Sequence, residues 1–181
     1  MRYERTFQIG RRELVRFHFG QVMREKLLGM IGLSVAALLI VYLYVTRLGL
    51  TATRGQLIAW MVLGFSMTLA CLGGFFYLRI ARHVDKSLRK LGVTAYEQAV
   101  AVDGFGVRVT ANGREARLGF DKLYLIRETR RDFYIYVTAE QAWLLPKEQL
   151  EVPAAECALL RQIFETVVES RRLALTPGGK R

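Results

Sequence analysis

Two uncharged apolar runs, Leu27–Thr46 and Gly55–Leu78, constrain this chain more than any other feature in it. At about 1.5 Å of rise per residue, 20 and 24 residues give helices of roughly 30 and 36 Å, against a bilayer hydrocarbon core of about 30 Å. Each run is long enough to cross a membrane, and the short segment 47–54 between them leaves room only for a turn. The expected core of the molecule is a two-helix transmembrane hairpin. With 181 residues in all, the remainder suffices for one small water-exposed domain.

The net charge of +11 would point to nucleic acid if it lay on a soluble surface, so its distribution decides its meaning. Residues 1–26 carry +4, the 47–54 turn +2, residues 79–92 +4, and the remaining 89 residues only +1. The excess is juxtamembrane, which argues against a nucleic-acid partner. Lys and Arg resist translocation and are drawn to anionic headgroups of the cytoplasmic leaflet. Ten of them flank the outer ends of the two runs (Arg11, Arg12, Arg16, Arg24, Lys26; Arg79, Arg82, Lys86, Arg89, Lys90), and only Arg47 and Arg54 lie between. Both termini are therefore expected in the cytoplasm, with an external turn at 47–54. A cleaved signal peptide would have a shorter apolar core near the start and a small-residue cleavage site, whereas this run follows 26 residues and passes through Val41, Tyr42, Leu43 and Tyr44.

No Asp, Glu, Lys, Arg or His falls inside either run, which removes the groups that transport pathways and voltage sensors require. Small residues recur at helical spacing: Gly32 and Ala36 in the first run, Ser66, Ala70 and Gly74 in the second. Such residues let backbones approach closely, so they are candidates for holding the hairpin together or for forming a homodimer face. Tyr42 and Tyr44 near the outer end of the first run, Trp60 just inside the second, and Phe75, Phe76 and Tyr77 at its inner end suit interfacial aromatic belts.

Around the hairpin the texture changes. Tyr3–Ile9 alternates with period two, although Arg5 falls on its apolar face. Val15, Phe19, Val22 and Met23 make one face of a basic amphipathic helix that either lies in the headgroup layer or packs on the cytoplasmic part and continues into the first run. A basic helical exit spans 79–92. Strands are predicted at Thr94–Val102, Gly106–Ala111, Glu115–Gly119, Lys122–Glu128, Phe133–Val137 and Ala142–Pro146, separated by turn formers of which Asn112-Gly113 is the strongest. Pro153 opens a final helix in which Leu160, Ile163, Phe164 and Val167 share a face, with Arg171 and Arg172 placed to meet its dipole. The domain 93–172 thus ends in a helix, and 173–181 reads as a flexible tail.

The chain resembles the YcxB-like family of bacterial two-span membrane proteins. The residues carrying this likeness are the N-terminal strand and aromatic helix (Tyr3 to Phe19, with Phe17, His18 and Phe19), the segment Gly119 to Glu128, Phe133 to Tyr136, Ala142 to Lys147, and the closing helix. Phe120 stands where the family usually has Trp, and Leu150 where it usually has an aromatic. The resemblance implies a pleckstrin-homology-like cytoplasmic domain of about seven antiparallel strands and a capping helix, an α+β membrane protein of the bacterial inner membrane. It implies no established activity.

Chemistry is sparse. His18 and His83 lie in no zinc spacing, and His83 and Asp85 are two apart on a helix, so they do not share a face. Gly104-Phe105-Gly106 lacks the third glycine and following helix of a dinucleotide site and reads as a turn. Asp121, Glu128 and Asp132 alternate with Arg127, Arg130 and Arg131 and read as a solvated face. Cys71 and Cys157 fall on different elements and suggest neither a disulfide nor a thiolate site. No catalytic, cofactor-binding or metal-binding residue is assigned, and the chain is not expected to be an enzyme. Arg127, Arg130 and Arg131, at a predicted hairpin tip, are the candidate contact for lipid headgroups or an acidic protein partner. The expected role is a binding or scaffolding module at the inner leaflet; the alternative is an accessory subunit of a membrane enzyme or transporter.

Overall fold

The computed structural model describes residues 2–47, 53–168 and 173–175, apart from the side chains of Tyr44 and Arg54. The chain divides into two compact units, residues 14–92 and residues 1–13 together with 93–181.

The helical unit comes from two long helices, α1 (Arg11–Arg47) and α2 (Arg54–Leu91). The chain has no proline before residue 146, so nothing breaks either helix where the apolar run meets its basic flank. The amphipathic stretch after Arg11 therefore runs on into the first apolar run as one helix. Thr53 caps α2 by a capping box, accepting from the Gln56 N–H at 3.4 Å while its own N–H donates to Gln56 Oε1 at 3.1 Å. At the other end Gly92 adopts φ 69°, a left-handed conformation that glycine takes without a Cβ penalty, and its N–H reaches the Arg89 and Leu88 carbonyls. Residues 48–52 of the predicted turn lie outside the described residues.

The two helices run antiparallel. Phe19 meets Tyr77 edge-on at 5.9 Å between ring centroids. Farther along, a Cβ on Gly64 would lie 3.5 Å from Leu38 Cδ2. Met30 and Ser34 are the buried points of α1 within its apolar run, and the Ser34 hydroxyl donates to the Met30 carbonyl at 2.9 Å. Only 12% of the most apolar window of α1 and none of that of α2 is buried. Both helices are long and apolar enough to cross a membrane, and neither is wrapped by protein as the core helix of a globular domain would be.

The second unit is built on two four-stranded sheets. The first has the order β1 (Tyr3–Gly10), β2 (Ala95–Val102), β3 (Gly106–Ala111), β4 (Arg114–Gly119), antiparallel throughout. The second has the order β7 (Ala142–Pro146), β6 (Asp132–Tyr136), β5 (Leu125–Glu128), β8 (Leu173–Ala174), with β8 parallel to β5. The helix α3 (Pro153–Val167) follows β7 in sequence. β1 pairs with β2 along its whole length, from Tyr3 opposite Val102 to Gly10 opposite Ala95. Alternation on β1 sends Tyr3, Phe7 and Ile9 inward, and Val100, Val102, Val107 and Val109 complete that face. Ile126, Phe133, Ile135 and Leu145 of the second sheet and Leu160, Ile163 and Phe164 of α3 are all buried, and the Phe133 and Phe164 rings lie 6.2 Å apart.

Most predicted boundaries agree with the structure to within a residue or two. Asn112 (φ 51°) and Gly113 (φ 72°) form the tight turn between β3 and β4. Gly106 has no room for a side chain, since a Cβ there would collide with the Leu118 carbonyl oxygen across the β3–β4 pair. Three expectations are corrected. The predicted strand Lys122–Glu128 is a 3-10 turn at Phe120–Lys122 followed by the shorter β5. Phe120 and Leu123 are both buried three residues apart, a spacing that a strand would send to opposite faces. The final helix ends at Val167 rather than near residue 172, and Arg171 and Arg172 lie outside the described residues. The segment from 173, read as a tail, instead supplies β8, making eight strands among the described residues; residues 176–181 lie outside them. Two residues are too few for a pattern to announce, but they occupy the free edge of β5.

Side chains join the layers. Buried Gln98 on β2 donates to the Leu144 carbonyl on β7 at 2.9 Å. The Gln149 amide accepts from the Gln8 N–H and donates to the Gln8 carbonyl, both at 2.7 Å, standing in for a strand on the outer edge of β1. Val152, which precedes α3, has no capping side chain. Glu156 supplies the acceptor instead, taking the N–H groups of Glu151 (2.9 Å) and Val152 (3.0 Å), and it also receives Tyr3 Oη at 3.0 Å and pairs with Arg5 at 3.3 Å. Arg5, the one charge on the inward face of β1, is thereby matched.

Glu128 and Asp132, expected on a solvated face, are buried. The Glu128 carboxylate accepts from Arg161 of α3, through Nε at 2.8 Å and a second guanidinium nitrogen, and from Lys147 Nζ. Lys147 also donates to the Thr129 carbonyl at 2.7 Å and sits 4.6 Å from the Phe133 ring centroid. Burial pushes the Glu128 pKa up, but the hydrogen bonds and charges of Arg161 and Lys147 outweigh it and hold the carboxyl below its usual range. Asp132 accepts from Tyr134 Oη at 2.9 Å.

Removing the Glu128 charge leaves two cations facing each other beside an apolar core, so Glu128→Gln should lower the unfolding free energy by roughly 3 kcal/mol, the lower end for breaking a buried pair. Urea unfolding of the detergent-solubilised chain, followed by Trp143 fluorescence in a Trp60→Phe background, measures this. Because the folded pKa of Glu128 is depressed, its contribution is complete above its ordinary value of 4.5 and is lost as pH falls through the folded value. The gap between native and Glu128→Gln proteins should therefore close on acidification below pH 4.5 and stay open at pH 7.

Candidate functional site

The hairpin joining β5 to β6 places the arginines singled out in the sequence. Thr129 and Asp132 close its turn: the Thr129 N–H donates to the Asp132 carbonyl at 2.8 Å, and the Thr129 hydroxyl bridges back to the Asp132 N–H at 3.0 Å. Arg130 and Arg131, between these residues, are exposed at the tip, while Arg127 is half-buried on β5 between Tyr134 of β6 and Ala174 of β8. The Arg131 carbonyl accepts the Lys147 N–H at 2.8 Å, tying the tip to the residue after β7. The guanidinium groups thus stand on a rigid support, held from beneath by the Glu128 cluster. Guanidinium forks match phosphate and carboxylate oxygens, so the chemistry available here is anion binding.

Elsewhere on this unit the chemistry is modest. Thr6, Glu97, Ala99, Thr110, Asn112 and Gly113 line an open groove of about 310 Å³ across β1–β3 and the β3–β4 turn. The Asp103 carboxylate folds the β2–β3 turn by accepting from the Phe105 (2.8 Å) and Gly106 (3.0 Å) N–H groups, leaving Phe105 exposed at its apex. Burial pushes the Cys157 thiol up, away from the thiolate form that nucleophiles and metal ligands need. His18 and His83 both belong to the helical unit. Among the described residues, no three His, Cys, Asp or Glu side chains gather into a metal-binding group.

The small residues proposed for helix packing are placed differently from the hairpin role suggested for them. Gly32, Ala36, Ser66, Ala70 and Gly74 are all exposed, and the space around a Cβ at Gly32 or Gly74 is open. The α1–α2 contact instead uses larger side chains, such as Leu38 and Phe19, with Gly64 as a small partner. The face carrying Ser66, Ala70 and Gly74 points away from α1.

What the sequence did not reveal is the Glu128–Lys147–Arg161 cluster. Its one local sign was that Glu128 shares a strand face with Ile126, a position where a charge is costly unless paired. Its partners lie 19 and 33 residues away.

No curated protein and no solved structure matches this chain. The model of the YcxB-like protein family does match, over residues 102–164, which run from the last residue of β2 through β3–β7 to Phe164 of α3. The chain carries a YcxB-like region across that stretch.

Proposed function

We propose that this is an integral membrane protein of the bacterial inner membrane, in which α1 and α2 span the bilayer and hold a cytoplasmic binding or scaffolding domain against the inner leaflet. The observation that carries the reading is the β1–β2 pairing. It joins the residues before the hairpin to those after it, so two crossings that begin at Gly10 and end at Ala95 start and finish on one side. The unburied apolar windows of both helices and the ten flanking basic residues supply the reason for insertion and for its orientation. β1–β4, β5–β7 and α3 provide the four-plus-three strands and closing helix of a pleckstrin-homology-like domain. Its role is recruitment rather than catalysis, with the Arg127–Arg130–Arg131 tip as the contact for an acidic protein segment. Tethering raises the effective concentration for neighbouring membrane proteins, so a weak contact suffices. The exposed small residues of the helices favour one further reading, an accessory subunit packed on a larger membrane protein.

Topology is tested with single cysteines in a Cys71→Ser, Cys157→Ala background. A membrane-impermeant maleimide added to intact spheroplasts should label Arg47→Cys and leave Phe105→Cys unmodified until the membrane is opened. Labelling of Phe105→Cys from outside would overturn the orientation.

Recruitment is tested by crosslinking in intact cells followed by detergent purification. A discrete adduct should form and fall at least threefold in an Arg127→Glu, Arg130→Glu, Arg131→Glu variant. An unchanged adduct removes the tip as the contact, and a stoichiometric second protein without crosslinker favours the accessory-subunit reading.

A further inference from the structure

The basic end of the helical hairpin holds a cavity of about 520 Å³ between α1 and α2, lined by His18, Val22, Lys26, Phe76, Arg79, Ile80, Arg82, His83 and Lys86. Its walls follow from helical spacing. His18, Val22 and Lys26 recur at four-residue intervals on α1, and Phe76, Ile80 and His83, with Arg79 and Lys86, fall on one side of α2. Val22, Phe76 and Ile80 give an apolar floor. Lys26, Arg79, Arg82 and Lys86 give four cationic groups, and no carboxylate lines the cavity. None of these four side chains makes an ion pair or hydrogen bond among the described residues. Four like charges gathered around one hollow repel one another, and the arrangement is relieved by an anion placed among them.

We propose that this cavity is a binding site for the phosphate-bearing headgroup of an anionic phospholipid, taken from the cytoplasmic leaflet. The inference rests on the membrane-spanning reading and adds to it a specific occupant. Two features select a lipid over a soluble phosphate. Lys26 immediately precedes the first apolar run and Phe76 lies in the last turn of the second, so the cavity sits at the depth where headgroup phosphates lie. Val22, Phe76 and Ile80 set apolar side chains beside the cationic groups, and Phe76 belongs to the apolar run itself, which suits an acyl chain and offers nothing to a free ion. The site belongs to the helical unit and is separate from the arginine tip of the β domain. The same basic residues also orient the hairpin, and orientation alone needs no cavity.

The full-length protein, purified in a neutral detergent, is examined by native mass spectrometry with added phosphatidylglycerol or phosphatidylcholine. One phosphatidylglycerol should be retained with at least a tenfold preference over phosphatidylcholine. The preference should be lost in Arg79→Gln, Arg82→Gln, Lys86→Gln and kept in Arg127→Gln, Arg130→Gln, Arg131→Gln. Val22→Trp, which sets an indole into the apolar side of the cavity without altering charge, should lower retention at least threefold and keeps the test meaningful where the triple variant fails to insert. Equal retention of both lipids, or a Val22→Trp protein whose retention of phosphatidylglycerol is unchanged, overturns the proposal. Displacement of the lipid by millimolar inorganic phosphate overturns the lipid as occupant in favour of a soluble phosphate. Alkaline carbonate extraction of cell membranes separates the two levels: release of the protein refutes the membrane reading itself, whereas a carbonate-resistant protein without lipid preference refutes only the site.

Discussion

The pairing of β1 with β2 is the constraint on which the rest of this molecule depends. A strand of eight residues at the start of the chain finds its partner only after the entire helical hairpin has intervened. The cost of closing so long a loop grows only logarithmically with its length, and a full ladder of backbone hydrogen bonds with Phe7 and Ile9 buried beneath it outweighs that cost. The hairpin is thus an insertion into a β domain rather than a separate module strung before it.

The β domain in turn is held by polar groups placed where apolar packing alone would leave alternatives open. Gln98 joins a strand of one sheet to a strand of the other, and Gln149, just after β7, grips the outer edge of β1, both through backbone atoms. Glu128 gathers the end of β5, the turn after β7 and the middle of α3 onto one carboxylate. A buried ionic group contributes uncertainly to net stability, because desolvation opposes the Coulombic gain. Its consequence here is geometric: the tip carrying Arg130 and Arg131 is fixed by the same network that docks α3.

Much of this was legible in the sequence because the signals were strong and local. Twenty apolar residues without a charge admit few structures, Asn112-Gly113 can hardly avoid a hairpin, and Pro153 marks a helix start. The misreadings share one cause. Glu128 and Asp132 look solvated beside three arginines until Lys147, Arg161 and Tyr134 arrive from elsewhere in the chain. The parallel strand at Leu173–Ala174 has no local pattern, and the chain crosses between sheets at Phe120–Leu123 through a turn that a period-two reading runs straight through. The small residues of the helices were legible as a stripe but not as a direction, since spacing fixes a face and leaves open what that face meets. The basic residues beside the apolar runs were legible as a charge cluster, and the hollow they line was not, because it exists only once α1 and α2 lie side by side.

The separation of β1 from β2 also orders events during synthesis. Between Gly10 and Ala95 the ribosome adds 85 residues, which at about 5–20 residues per second takes roughly 4–17 s. Throughout that interval β1 lacks its partner, because the sequence of both helices is made before that of β2. The first sheet can be completed only after the sequence of both helices has been made. A chain stalled midway would present an unpaired strand with Phe7 and Ile9 uncovered.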